Sequence, residues 1–386
     1  MTVALRLGFV PLVDAAPLIV AEAMGFAEEE GLALDLVAAP SWSTLRDLLA
    51  VGHVAAAQML APVPVALALG LGGPARFEVL SVLNLNGNAV GVSTAVAARM
   101  QGHEFMLSDA RAAGLALLEA AGQGLRIGVP FAFSMHNELV RYWLEGLGQG
   151  LPKGLEIVTV PPPLMADALA AGEIDAFCVG EPRGSVAVER GAGILLLPTS
   201  AIWAAAPEKV LAVREGWAEA DPALAGRLIR AIWRAGRWLG REANLTVAAE
   251  VLATRLGVSA ELVERGLTGR LLIASDGAER LVPGFLRFDD GAAGFPWRSQ
   301  AAWIGARLAR RHGLDAMQAQ ITAAAVFRSD LYRLHLGLAG ADLPAASAKV
   351  EGSLVQPTPV ASSRGKLILP PDQFYDAQVF DPGLAG

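Results

Sequence analysis

The side chains here with the most reactive chemistry are five histidines and one cysteine, Cys178, and they are scattered without ligand spacing. No HExxH or paired Cys/His pattern is present to hold zinc, and no GxSxG elbow presents a nucleophile. Neither a GxxxxGK[ST] loop nor a GxGxxG turn follows a strand, so nucleotide binding has no motif support. Asp289-Asp290-Gly291 is too short for a calcium loop. What remains is a set of polar and aromatic residues at the ends of predicted strands, such as Trp42 and His136. Such a set can hold a ligand, but it pairs no nucleophile with a base. The expectation is a binding protein that needs no metal or cofactor and is not an enzyme.

The elements that must position those residues announce themselves by a repeat. Ala171 to Pro182 echoes Val51 to Pro62 at an offset of 120 residues, pairing Asp47 with Asp167, Gly52 with Gly172, Ala56 with Ala176 and Pro62 with Pro182. The same offset pairs Leu5-Arg-Leu-Gly8 with Leu125-Arg-Ile-Gly128. Each copy reads as strand, helix, strand, helix, strand, with connections short enough to favour parallel pairing and right-handed crossovers. Ligands on such sheets lie beyond the carboxyl ends of the strands. Those ends are Phe9 to Asp14, Pro40 to Trp42 and Gln58 to Pro62 in the first copy. In the second they are Pro130 to His136, Pro161 to Pro163 and Val179 to Pro182. Two such faces turned toward one another make a cleft.

A chain of 386 residues suits two domains. Hydrophobic content of 53% and a mean hydropathy of +0.43 come from Ala, Leu and Val spread among charges, and the longest apolar run, Met59 to Ala75, is broken by Pro and Gly. No membrane span is expected. A net charge of -7 and a pI near 5.4 argue against a nucleic-acid surface. Arg227 to Arg241 and Arg307 to Arg311 read as solvated helix faces. The N-terminus lacks the pattern of a secretory signal, because the first strand begins by about residue 3 and Asp14 interrupts the apolar stretch after it. With Met1 as the start, the expectation is a cytoplasmic protein.

In chain order, residues 1–90 and 206–386 are expected to form one lobe and 91–205 the other. Val79 to Leu83 reads as a strand, Asn84 to Ser93 as a first crossing between lobes, and Ala206 to Val213 as the strand that returns. Helices are expected from Asn137 to Leu147 and from Asp221, with its capping carboxylate and Pro222, to about Gly240. Residues 243–340 read as helices around an irregular Phe285 to Trp297, and 341–386 as a tail on the surface.

At the strand ends the sequence resembles the NrtA/CmpA family of nitrate- and bicarbonate-binding proteins, and within it the leaderless cytoplasmic NasS-type nitrate/nitrite sensors. The pieces that carry the likeness are Gly8-Phe-Val-Pro-Leu-Val-Asp-Ala-Ala-Pro17, Ser41-Trp42 with Arg46-Asp47, Ala57-Gln-Met-Leu-Ala-Pro62, Asn84-Leu-Asn86, Met135-His136 ahead of Arg141-Tyr-Trp143, Val160-Pro-Pro-Pro163, Asp175 to Pro182, Pro207-Glu-Lys209 and Phe295-Pro-Trp-Arg-Ser-Gln300. The resemblance implies an α/β fold of the type II periplasmic-binding-protein kind, two lobes with an anion held at the hinge. Carried over by motif, the ligand residues are Trp42, Asn88, Met135 through its backbone N–H, His136, Pro162, Val179 and Lys209. It also implies a partner, an RNA-binding antiterminator of the NasT type. The alternative is the substrate-binding subunit of an ABC importer for nitrate, bicarbonate or cyanate. An enzyme of the same fold, similar to a pyrimidine synthase, would need a reactive cluster that this chain lacks.

The chemistry of that set is sound. Nitrate spreads one charge over three weakly basic oxygens, so it asks for several donors at fixed angles and one cation. Lys209 supplies the charge, while Trp42, His136, Asn88 and backbone N–H groups supply the donors. Each also has a bland reading: Trp42 as a core aromatic, His136 as a helix cap, Lys209 as a solvent residue, Asn88 as a turn residue, and Pro162 and Val179 as spacing and shape. Three departures from the family pattern, Asn88, Met135 and Arg183, leave the choice among nitrate, nitrite and bicarbonate open.

Overall fold

In the computed structural model of the chain, residues 2–100, 107–122, 124–148 and 154–383 are described. β1 (Val3–Phe9) pairs in parallel with β2 (Leu32–Ala38) and β3 (Ala56–Leu60), as short apolar strands joined by helices must. β4 (Phe77–Asn86) then lies at the far side, and Gly87 alone separates it from β5 (Asn88–Ser93). That turn depends on backbone most side chains avoid, since Asn86 and Gly87 have φ of 60° and 96°. The expected strand at Val79 to Leu83 is longer, and the expected crossing at Asn84 to Ser93 consists of the end of β4, a one-residue turn at Gly87 and the short strand β5.

β5 enters a second sheet with β6 (Leu125–Val129), β7 (Leu155–Thr159), β8 (Ala176–Gly180) and β9 (Gly193–Pro198), in the order β7-β6-β8-β5-β9. The chain returns through residues 199–206 to β10 (Pro207–Arg214), which runs antiparallel between β3 and β4. Two further hairpin pieces, β11 (Arg270–Leu272) with β12 (Glu279–Leu281), form a separate ribbon, and β13 (Leu286–Arg287) edges β4. The first sheet thus reads β13-β4-β10-β3-β1-β2. In each sheet three strands pair in parallel, and the strand delivered by a crossing, β10 in the first and β5 in the second, runs antiparallel between them and a further strand, β4 or β9.

The repeat is visible atom by atom. Leu7 pairs with Ala56 and Gly8 with Ala57, while Ile127 pairs with Ala176 and Gly128 with Phe177. Gly52 and Gly172 both turn the chain with φ near 70–80°. Ala55 N donates to Arg6 O at 2.9 Å, and Asp175 N to Arg126 O at 2.8 Å. Only the second strands slip, since Leu7 faces Leu36 but Ile127 faces Ile157.

Helix Pro222–Leu239 starts where Asp221 accepts from Leu224 N at 2.9 Å. It buries Leu228, Ile229, Ile232 and Leu239 along one face, each contributing about 1.5–3 kcal/mol. Its outer arginines are partly tied down, with Arg230 and Arg234 on Glu30.

Helix Arg298–His312 departs from its expected solvated face. Arg307 and Arg311 reach across to Glu145 and Glu138 of helix Met135–Glu145, both at under 3 Å. The C-terminal stretch also differs from a surface tail. Phe374 stacks on Trp203 at 4.7 Å, and Glu351 and Asp372 are buried on either side of Lys349. Among the described residues no helix is long and apolar enough to cross a membrane.

Candidate functional site: a buried polar centre between the sheets

Two turns and a strand of the first sheet converge. After β1, Val10 N donates to Gln58 Oε1 at 3.0 Å, and Gln58 Nε2 donates to Asp14 Oδ1 at 2.6 Å, so the amide in β3 fixes the carboxylate. After β2, Ser41 caps helix Trp42–Ala50 by accepting from Thr44 N at 3.2 Å, which sets Trp42 at the first helical position. From β10, Lys209 extends its ammonium to Asp14 Oδ2 at 2.8 Å and Glu208 Oε1 at 2.9 Å, 5.4 Å from the centre of the Trp42 ring.

The second sheet supplies the opposing side. Asn88 opens β5 opposite Gly180. Ser134 caps helix Met135–Glu145 by accepting from Asn137 N at 3.2 Å. His136 is thus in the first turn, not ahead of it, where backbone N–H groups lack intrahelical acceptors. Its Nδ1 lies 3.3 Å from Glu208 Oε1.

Trp42, Asn88, His136, Glu208 and Lys209 are all 0% exposed, and Asp14 is 2%. Their placement excludes the solvent reading of Lys209. Among the described residues, Trp42 Nε1 and both ring nitrogens of His136 have no hydrogen-bond partner, and the Asn88 amide makes no well-aligned bond although it lies beside Glu208. Leaving such donors bare costs about 1–3 kcal/mol each.

The charges divide unevenly. Burial pulls the Lys209 pKa down, but Asp14 and Glu208 outweigh it and hold the ammonium above its ordinary value. Burial raises the Glu208 carboxyl against the counter-pull of Lys209. Burial and the Lys209 charge push His136 well below its ordinary range, so at neutral pH it is an uncharged donor. Cys178, on the face of β8 toward this centre, stays a thiol because burial and the Glu208 charge raise it.

Two of the expected ligand residues are placed differently. Val179 packs its side chain among Phe177, Met165 and Leu169 in the second lobe's core, because side chains alternate along β8 and Cys178 takes the cleft side. Pro162 lines a cavity of about 280 Å³ together with Val10, Pro11, Ala38, Ala39, Pro40, Pro163 and Arg183. Burial and Arg190 lower the Arg183 pKa, and its Nε has no partner. Met135 is fully buried at the helix start.

Asp14 and Glu208 were not among the expected ligand residues, although both fall inside motifs that carry the family likeness. A lysine at a buried strand start needs a counter-charge, and that was the available signal.

The NMT1-like family matches residues 2–253. The chain is 34% identical over 316 residues to the nitrate import ATP-binding protein NrtC of Synechocystis sp., an alignment covering 81% of this chain and 46% of that protein. It is 28% identical over 392 residues to the nitrate/nitrite binding protein NrtA of Nostoc sp., covering 98% and 82%. The chain therefore spans about half the length of NrtC and most of NrtA. Among solved structures, the periplasmic nitrate-binding protein NrtA from Synechocystis PCC 6803 superposes with a TM-score of 0.84 at 24% identity, covering 99% of this chain and 96% of that one. The fold is that of the periplasmic binding proteins, two α/β lobes each built on its own sheet. With nearly two thirds of its length matched, the chain belongs to the NMT1-like family.

Proposed function

We propose that the chain binds nitrate or nitrite between its lobes and catalyses no reaction. One observation carries this reading: Trp42 Nε1 and the His136 ring are buried and unpartnered beside Lys209, the cation at this centre. Donors kept dry and unpaired around a cation suit a small planar anion with several weak acceptor oxygens. The likeness to the nitrate-binding NrtA proteins points to the same ligand class. Calorimetric titration with nitrate, nitrite, bicarbonate and chloride tests it. Saturable heat with the first two and none with chloride is expected; silence with all four ends the proposal.

At the finer level the proposal is a cytoplasmic sensor of the NasS type, whose occupancy decides whether a NasT-type antiterminator is held. Support comes from the sequence resemblance and from two chain crossings through which a bound anion could bias closed over open lobes. Coupling of this kind is reciprocal, so nitrate would weaken the partner complex by the factor with which the partner weakens nitrate, typically 1–3 kcal/mol. Size-exclusion chromatography of the mixture with and without nitrate reads this directly. A complex indifferent to nitrate favours the second reading, the substrate-binding subunit or module of an ABC importer. That reading has its own support in the match to about half of an import ATP-binding protein.

A further inference from the structure

The centre between the lobes contains more negative than positive charge. Lys209 faces two carboxyl groups, Asp14 and Glu208. His136 is neutral, Cys178 is a thiol, and Trp42 and Asn88 carry no charge. With both carboxyls ionised the centre is already negative by one unit, and a bound monoanion would make it two, in a place sealed from water. Like charges confined this way drive one group to take up a proton.

The geometry selects the group. Asp14 has Oδ1 on the Gln58 amide and Oδ2 in an ion pair with Lys209 at 2.8 Å, without an aligned hydrogen bond. Glu208 has Oε1 on Lys209 and 3.3 Å from His136 Nδ1, while among the described residues its buried Oε2 has neither a hydrogen bond nor an ion pair. A proton on Oε2 turns a bare acceptor into a donor inside the site.

We propose that Glu208 is an anion ligand in its carboxylic-acid form, donating Oε2–H to an oxygen of the bound anion, so that each nitrate or nitrite enters with one proton. The inference rests on the anion reading of this cleft and adds to it. The groups facing Glu208 are Lys209 on its own strand, Asp14 from the turn after β1, Asn88 from β5, Cys178 from β8 and His136 from its helix. A basis for selectivity lies in the same proton. Nitrate and nitrite have only acceptors and need the acid form. Bicarbonate brings its own O–H, which can donate to an ionised Glu208, and so binds without a proton.

The experiment is titration calorimetry with nitrate from pH 5.5 to 8, each pH in two buffers of different ionisation enthalpy. The expected result is proton uptake that rises toward one per nitrate as pH passes the free-protein pKa of Glu208, with affinity falling by about tenfold per pH unit above it. Glu208→Gln, which carries a permanent donor, is expected to lose the slope and to bind nitrate more tightly than the parent at pH 8. Nitrate binding by the parent with neither proton uptake nor loss of affinity anywhere up to pH 8 overturns the inference and leaves the anion reading standing. A Glu208→Gln protein that keeps the slope also overturns it, placing the proton on His136. No nitrate binding at any pH removes both the inference and the reading beneath it.

Discussion

Lys209 Nζ stands 2.8 Å from Asp14 Oδ2, with the two side chains 0% and 3% exposed. An ammonium in that position serves the ligand and the fold at once, because without it two buried carboxyls face each other unpaired. Lys209→Ala is expected to weaken nitrate binding by roughly 2–4 kcal/mol. It should also lower unfolding free energy by about 3 kcal/mol, the low end for a broken buried pair because Glu208 can protonate. Titration and urea unfolding measure the two losses separately. Full affinity for nitrate in this variant would remove Lys209 from the site.

Trp42 separates recognition from packing. Its indole N–H has no partner among the described residues, so Trp42→Phe deletes a donor while keeping an aromatic ring in the core. Nitrate affinity should fall by about 0.5–1.5 kcal/mol, while stability changes by less than about 1.5 kcal/mol. An affinity equal to the parent's would make Trp42 a packing residue only.

Much of this arrangement can be read from the chain itself, because a repeat fixes registers as well as elements. The offset joining Asp47 to Asp167 reappears as Leu7 on Ala56 and Ile127 on Ala176. What could not be read is long-range electrostatics. Asp14 and Lys209 are far apart in sequence, and nothing local to either says that they meet. The C-terminal stretch misleads for a related reason. Its polar composition looks solvated, yet Glu351 is fully buried because Ser299 donates to it at 2.6 Å and Lys349 pairs with it. The ribbon of β11 and β12 escapes notice because its strands have three residues each and β12 is exposed, so no apolar alternation marks them.

Arg311 and Glu138 tie the His136 helix to the C-terminal helices at 2.7 Å, with Glu138 only 1% exposed. Burial raises the Glu138 carboxyl, and Arg311 is the first of the charges that pull it back. Arg311→Ala removes that pull, so the folded-state pKa rises further. A raised carboxyl favours folding below its unfolded pKa and loses that advantage as pH climbs through the folded value. The variant should therefore be about 3 kcal/mol less stable than the parent near pH 7.5, and the gap should close on acidification toward pH 4.5. Adding Glu138→Gln should recover part of the loss at neutral pH. Urea unfolding at the two pH values checks both statements, and a gap independent of pH would contradict them.

Glu181 lies where the lobes meet, since Val13 N donates to its backbone oxygen at 2.9 Å. Its carboxylate accepts from Ser185 N at 3.1 Å through Oε2, while Oε1 has no hydrogen-bond partner among the described residues. Burial dominates and lifts the pKa from 4.5 to about 6. Between those values the folded protein binds more protons than the unfolded chain, so its stability falls as pH rises. The size is about 2 kcal/mol, spread from near pH 4.5 to just above pH 6. Glu181→Gln cannot titrate, so subtracting its stability curve from the parent's should leave that decline and nothing else from this group. Parallel curves across the window would show that Glu181 keeps an ordinary carboxyl pKa in the fold.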